Sequence, residues 1–234
     1  MPAAIITGAS KGIGKAIAHL LVSKGFDVGI CARTLEDLLA LKSSLLQINP
    51  NVRIVAESVN VSDEEAVNAF ANACLTNFNT IDILVNNAGV FIPGAILDLD
   101  TSQLKNTIDV NLMSAFWMTK CIAPQMIHQK AGHIFNMCSV ASLQAYPNGG
   151  AYSISKYALL GFSENLREEL KIYNVKVTAI CPGAVYTDSW KSSGVDPNRL
   201  MEANDIAESL WSAYNLSNKA VVEKIIIRPQ LGDL

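Results

Sequence analysis

Charge is scarce in this chain: only 17% of its 234 residues are Asp, Glu, Lys or Arg, and the formal net charge is −3. A nucleic-acid or anionic-membrane surface needs an excess of basic residues, and 18 Lys and Arg against 21 acids do not provide one. The three histidines, His19, His128 and His133, fall in no motif. The five cysteines, at 31, 74, 121, 138 and 181, are dispersed without a CxxC pair. That spacing argues against a metal site and a disulfide framework, and leaves free thiols in apolar segments. No apolar run approaches the ~20 residues of a membrane span. The opening MPAAIITG lacks the basic region and cleavage pattern of an export signal. A soluble, cytoplasmic protein is the expectation.

What is present is a core. Half the residues are hydrophobic, with no repeat, low-complexity tract or linker-like shift, so one domain over 1–234 is expected. Short apolar runs recur at 3–7, 27–31, 53–58, 81–86, 132–138, 175–180 and 224–228. They are continuously apolar, as in parallel strands covered on both faces. Helical patterns lie between them, such as Ile13, Ala16, Ile17, Leu20 and Leu21. Thr34 with Asp37, and Ser62 with Glu65, have capping-box spacing. Seven strands alternating with six helices predict a doubly wound α/β fold: a seven-stranded parallel sheet with helices on both faces. The polar stretch 188–203, with Gly194 and Pro197, reads as a mobile loop near a site or as a plain surface loop.

The first strand runs into TGASKGIG, residues 7–14, and then a helix. Gly8, Gly12 and Gly14 between strand and helix permit a tight turn and close approach of a pyrophosphate to the helix N-terminus. Ser10, Lys11 and Ile13 lie in the same loop. A strand–helix turn without a ligand uses the same residues. About 20 residues on, where a carboxylate normally holds a ribose 2′-hydroxyl, the chain reads CARTLEDL, placing Arg33 there. A guanidinium favours a 2′-phosphate, and Lys11 adds a second cation. NADP(H) is therefore preferred, with NAD(H) the alternative. Glu36 and Asp37 are the competing carboxylates, although acids are favoured in a first helical turn anyway.

AYSISKYALLGF, residues 151–162, places Tyr152 and Lys156 on one helix face. Spacing alone would equally describe a chance surface pair. NNAG (86–89), DVN (109–111), CSVAS (138–142) and PGAVYT (182–187) accompany it in order. Together these segments resemble the short-chain dehydrogenase/reductase family of the classical type, over essentially the whole chain.

The resemblance implies a Rossmann-type fold and reversible hydride transfer between a nicotinamide and a carbonyl or secondary alcohol. It implies Asn111, Ser139, Tyr152 and Lys156 as catalytic residues. It also implies cofactor contacts by the glycine loop, by Asn87, Ala88 and Gly89, by Tyr152 and Lys156, and by Pro182, Gly183, Val185 and Thr187. Asn60, with Val61 beside it, stands where the family has an adenine-contacting aspartate. The terminus IRPQLGDL also departs from the family's VDGG type.

A ketone accepting hydride needs a proton donor. Moving a phenol from pKa ~10 to ~7 takes about 4 kcal/mol. One cation at ~4 Å supplies about that at an effective dielectric of ~20. Lys156 is expected to do this, Ser139 to hold the substrate oxygen, and Asn111 to anchor a relay water. Phe91, Ala141, Tyr146, Val185 and Trp190 are expected pocket walls. A small carbonyl or alcohol is the expected substrate, with a 3-oxoacyl thioester on an acyl carrier protein the chief named candidate. An acidic carrier would dock on basic residues, for which Lys130, Arg167 and Lys171 are candidates near the active-site side. A homodimer or homotetramer through helices at roughly 101–130 and 151–173 is implied, with Phe116, Trp117, Leu159 and Phe162 available. An intramolecular core explains those residues equally well. A non-catalytic dinucleotide sensor or scaffold is the alternative function.

Overall fold

The computed structural model describes residues 1–187, 190 and 194–233. Seven strands form one parallel sheet: β1 (Ala3–Thr7), β2 (Asp27–Ala32), β3 (Ile54–Ser58), β4 (Ile83–Asn86), β5 (Gly132–Met137), β6 (Val175–Pro182) and β7 (Lys224–Ile227). Their order is β3-β2-β1-β4-β5-β6-β7. All seven apolar runs thus become strands. Alternate residues feed opposite faces: Ala4 and Ile6 of β1 join one hydrophobic cluster, Ala3 and Ile5 the other.

Helices α1 (Gly12–Ser23), α2 (Leu35–Ile48) and α7 (Ala203–Tyr214) cover the first face, through Ile17, Leu21, Leu41, Leu45 and Leu210. On the other face, α3 (Glu64–Asn77) and α5 (Ser114–Gln129) contribute Phe70, Cys74, Met118 and Ile122. Helix α6 (Gly150–Leu170) packs its Leu159 and Leu160 against Ala179 and Cys181 of β6. The expected helix over 101–130 is α4 (Thr101–Ile108) joined to α5 by one π-helical segment, Asp109–Met113. The topology reverses between β1 and β4, which opens a crevice at the carboxyl ends of the strands.

Two expected caps differ. Thr34 makes no side-chain bond to α2. Helix α3 is capped by Asp63, which accepts from Glu65 N and Ala66 N, because the Ser62 hydroxyl is already donated to Asn60 Oδ1 at 2.9 Å. All five cysteines are free, four of them buried. No helix among the described residues is long and apolar enough to cross a membrane. Of the segment 188–203, residues 188, 189 and 191–193 lie outside the described ones, and Pro197–Arg199 forms one 3₁₀ turn.

The basic residues expected near the active-site side are not there. Arg167 follows Tyr152 by fifteen residues, about 22 Å along a helix. Arg167 and Lys171 line a cleft with Val175 and Lys176 at the start of β6, and Asn174 Nδ2 donates to the Lys130 carbonyl. The three cations sit at the opposite edge of the sheet from the crevice. Leu159 is fully buried, whereas Phe116 is 41% exposed and meets the Phe162 ring edge-on at 6.2 Å.

Candidate active site

The glycine loop crosses the crevice directly after β1. Gly8 and Gly12 have φ of +64° and +52°, the left-handed region that glycine tolerates best. Space demands glycine too. A Cβ on Gly8 would lie 2.8 Å from Ala88 Cα, and one on Gly12 would lie 2.9 Å from Thr187 Cγ2. The tip of β1, the segment after β4 and the segment after β6 therefore meet at this loop. Thr7 ties them: its hydroxyl accepts from Asn87 N and Ala88 N, each at 3.0 Å. Asn87 Nδ2 donates to the Thr7 and Gly8 carbonyls, both at 3.0 Å. The expected cofactor role of Asn87 thus passes to its main chain, because its amide holds the loop shut.

Helix α1 begins at Gly12 with no side-chain cap and no acid in its first turn. Unpaired N–H groups at a positive dipole end suit an anion such as a dinucleotide pyrophosphate. Beyond it, Lys11 Nζ lies 3.1 Å from Asp37 Oδ2, so the competing carboxylate is ion-paired to the loop's own cation. Arg33 is exposed at the end of β2, where its carbonyl accepts from Ser58 Oγ at 2.8 Å. Asn60 Oδ1 accepts from Ser62 N and Oγ at 3.3 and 2.9 Å. The acceptor expected to face adenine is therefore committed locally, and the side-chain NH₂ is what remains to offer a base. Val61 is buried in the core, so a contact there would come from its main chain.

The four expected catalytic residues converge on the floor of the crevice. Lys156 Nζ lies 5.7 Å from the centroid of the Tyr152 ring and donates to the Met137 carbonyl at 2.6 Å. A methyl on Gly89 would stand 3.3 Å from Asn111 Oδ1 and 3.5 Å from Lys156 Nζ. Ser139 Oγ accepts from Ala141 N at 3.1 Å, capping the 3₁₀ turn Val140–Ser142, and hydrogen-bonds the Tyr152 phenol. Asn111 does not dangle into the crevice as a water ligand would. Its Oδ1 accepts from Val90 N at 2.7 Å, and its Nδ2 donates to Val90 O at 3.0 Å and Ser155 Oγ at 2.8 Å.

Burial reverses the expected direction of the phenol's shift. It pushes Tyr152 up to about 12, with the Ser139 hydrogen bond acting the other way. The same burial pushes Lys156 down to about 8, with the neighbouring Cys138 and Cys181 thiols opposing it. Desolvation disfavours each charged form more than the neighbours stabilise it. At neutral pH, Lys156 is still charged by about ten to one and Tyr152 is a protonated donor.

Among the expected walls, Phe91 and Tyr146 are 49% and 40% exposed. Trp190 is half-buried. Ala141 and Val185 are buried, and Val185 packs in the hydrophobic cluster on the α1 face of the sheet. Ala141 is held in the capped 3₁₀ turn. The main chain around Val185 pairs with Met201: Tyr186 N donates to Met201 O at 2.8 Å, and Met201 N to Ala184 O at 3.0 Å. Pro182 is buried at the end of β6, and Gly183 N donates to Ile227 O at 2.8 Å, so this side of the crevice is braced by β7.

A model of the short chain dehydrogenase family matches residues 2–198. The chain belongs to the short-chain dehydrogenase family. It is an NAD(P)-dependent oxidoreductase acting on CH–OH groups. It is 34% identical to a sepiapterin reductase of Chlorobaculum tepidum over 98% of this chain and 97% of that one. Among solved structures it resembles an alcohol dehydrogenase of the archaeon Thermococcus sibiricus complexed with 5-hydroxy-NADP, with TM-score 0.90 and 27% identity, covering 98% and 97% of the two chains. It also resembles L-sorbose reductase of Gluconobacter frateurii complexed with NADPH and L-sorbose, with TM-score 0.90 and 25% identity, covering 97% and 95%.

The motifs did not reveal the buried polar frame behind this dehydrogenase site. Asn86 Nδ2 donates to Asn136 Oδ1 at 2.8 Å and Thr119 Oγ1 at 3.1 Å, and Asn136 Nδ2 donates to Ser163 Oγ at 2.9 Å. It locks β4, β5, α5 and α6 together beneath the crevice. Asparagine inside two otherwise apolar strands was its available signal, since such a residue needs partners when buried.

Proposed function

We propose that this chain is an NADP(H)-dependent carbonyl reductase in which Tyr152 protonates the carbonyl oxygen. The observation that carries the reading is a buried phenol held protonated, within reach of the Ser139 hydroxyl and one helical turn from Lys156. Bound NADPH would supply the hydride. Gly8, Gly12 and Gly14 make room for its pyrophosphate against α1, with Ser10, Ile13 and Thr187 around it. Lys11 and Arg33 answer a 2′-phosphate, and Asn60 donates to the base.

Ser139 Oγ has its acceptor side engaged by Ala141 N, which orients the hydroxyl proton outward to a substrate oxygen. The Tyr152 proton then passes to that oxygen as its negative charge develops. Lys156 stabilises the resulting phenolate. Asn111 fixes the Val90 segment and Ser155, and so the distance between Gly89 and the amine; we assign it a positioning role. A protonated tyrosine at pH 7 favours reduction over alcohol oxidation, which needs the phenolate first. The NADP-bound and NADPH-bound relatives agree with this cofactor. A carrier-borne 3-oxoacyl thioester is the weaker substrate reading, since the basic residues proposed for docking lie at the far edge of the sheet.

Tyr152→Phe tests the mechanism. Hydride transfer to a ketone, followed as NADPH oxidation, should fall by at least about 10³-fold while NADPH binding by fluorescence persists. Wild-type rates in the variant would reject Tyr152 as the proton donor. NADPH binding without turnover of any carbonyl by the wild-type protein would favour a dinucleotide sensor.

A further inference from the structure

Among the described residues, the walls of the crevice carry almost no charge. Residues 87–97, 138–155 and 177–187, which follow or end β4, β5 and β6, contain no carboxylate, no histidine and no basic side chain. Lys156, which directly follows the second of these segments, is turned to the Met137 carbonyl. Asp233 reaches Gly183 from the C-terminal tail but is ion-paired with Arg228.

Within this uncharged surround, two aromatic rings stay exposed. Phe91 meets the Tyr152 ring edge-on, centroids 5.0 Å apart at 89°, and is 49% exposed. Tyr146, 40% exposed, lies near enough to Tyr152 to act on its charge. The loops that bear them are fastened to each other. Gly94 N donates to Asn148 O at 2.9 Å, and a Cβ on Gly150 would collide with the Gly94 carbonyl at 2.3 Å. Pro93 and Pro147 stiffen both loops. Both rings are therefore held near the phenol by loops fastened to each other.

We propose that this crevice selects an uncharged carbonyl compound with a flat ring, seated between Phe91 and Tyr146 with its carbonyl toward Tyr152 and Ser139. The proposal rests on the reductase reading. Aromatic faces and edges bind a flat ring well, whereas a carboxylate or phosphate placed here would be desolvated with no free counter-ion.

The test compares methyl 4-acetylbenzoate with 4-acetylbenzoate, which share the ketone and ring and differ in charge, with 2-butanone as a ringless control. The ester's kcat/KM should exceed the acid's by at least about 100-fold. Phe91→Ala and Tyr146→Ala should each lower it for the ester about tenfold, leaving 2-butanone within about twofold and NADPH affinity unchanged. Tyr146→Phe, which keeps the ring, should lower the ester's kcat/KM less than Tyr146→Ala does. Phe91→Leu, which keeps apolar bulk, should fall between wild type and Phe91→Ala, and it serves if the alanine variant does not fold. Equal turnover of acid and ester, or variants that slow 2-butanone as much as the ester, would overturn the proposal. Saturation-transfer NMR of the same pair separates the two readings. Ester binding that is weakened in the ring variants but never leads to turnover upholds the clamp and rejects the reductase. Neither binding nor turnover rejects the clamp.

Discussion

The two ends of the crevice handle charge in opposite ways. At the rim, Lys11 and Arg33 are exposed and Asp37 half-buried, and Lys11 and Asp37 form an ion pair at 3.1 Å. On the floor, Lys156 is 4% exposed, with a carbonyl and thiols for neighbours. Charges in water are screened and shift an equilibrium by small increments. A desolvated charge acts on its neighbours with little screening, and its own protonation becomes conditional. On the proposed reading, the rim discriminates between similar cofactors and the floor sets whether a proton moves.

Lys156→Met should give the largest effect. Removing this cation takes away the stabilising charge that the proposal gives the phenolate, and kcat/KM for reduction should fall at least about 100-fold. The wild-type pH profile carries the same information. Lys156 is pushed down to about 8, so reduction should hold steady through neutrality and decline as pH rises past about 8, where the ammonium is lost. The methionine variant should lose that limb. A limb that survives in Lys156→Met would assign it elsewhere and break the contrast.

Gly89→Ala should come next. Its methyl would enter between Asn111 Oδ1 and Lys156 Nζ, at 3.3 and 3.5 Å. The contact with Asn111 Oδ1 is tight enough that this amide must give by a few tenths of an ångström. The amine is met at ordinary van der Waals distance and is disturbed through Asn111. A loss of roughly tenfold in kcat with little change in thermal midpoint is expected. An equal loss in KM alone would place the effect in binding instead.

The smallest effect belongs to the rim. Asp37→Asn removes one negative charge 3.1 Å from Lys11, so KM for NADPH should fall about three- to fivefold while KM for NADH stays put. The gap should narrow in high salt. An effect on both cofactors alike would show that Asp37 acts on α2, not on a 2′-phosphate.

Much of this was legible in the residues. The five inner strands announced themselves because a parallel strand buried on both faces must be apolar throughout, as in Ala3–Thr7 and Ile83–Asn86, and the partly buried edge strands β3 and β7 still carry short apolar runs. The converging site was legible because short motifs at strand ends share one edge of such a sheet. The phenol's direction was not, because it depends on how completely Tyr152 and Lys156 are desolvated, which one-turn spacing does not specify. Nor was the committed side chain of Asn111, whose partners Val90 and Ser155 are 21 and 44 positions away. The cap of α3 was missed by one residue because Ser62 and Asp63 are both good caps, and the choice fell to Asn60's demand for a donor.

The π-helical segment Asp109–Met113 gives one continuous rod two orientations. One extra residue in a turn advances the phase by about 100°. Asn111 can therefore look toward Val90 while Met118, Ile122 and Met126 further on point into the sheet. Excising a single residue there would rotate everything downstream and turn either the asparagine or the methionine row the wrong way. Length in this stretch is thus a more rigid requirement than identity, and a shortened rod would be expected to fail before most substitutions within it do.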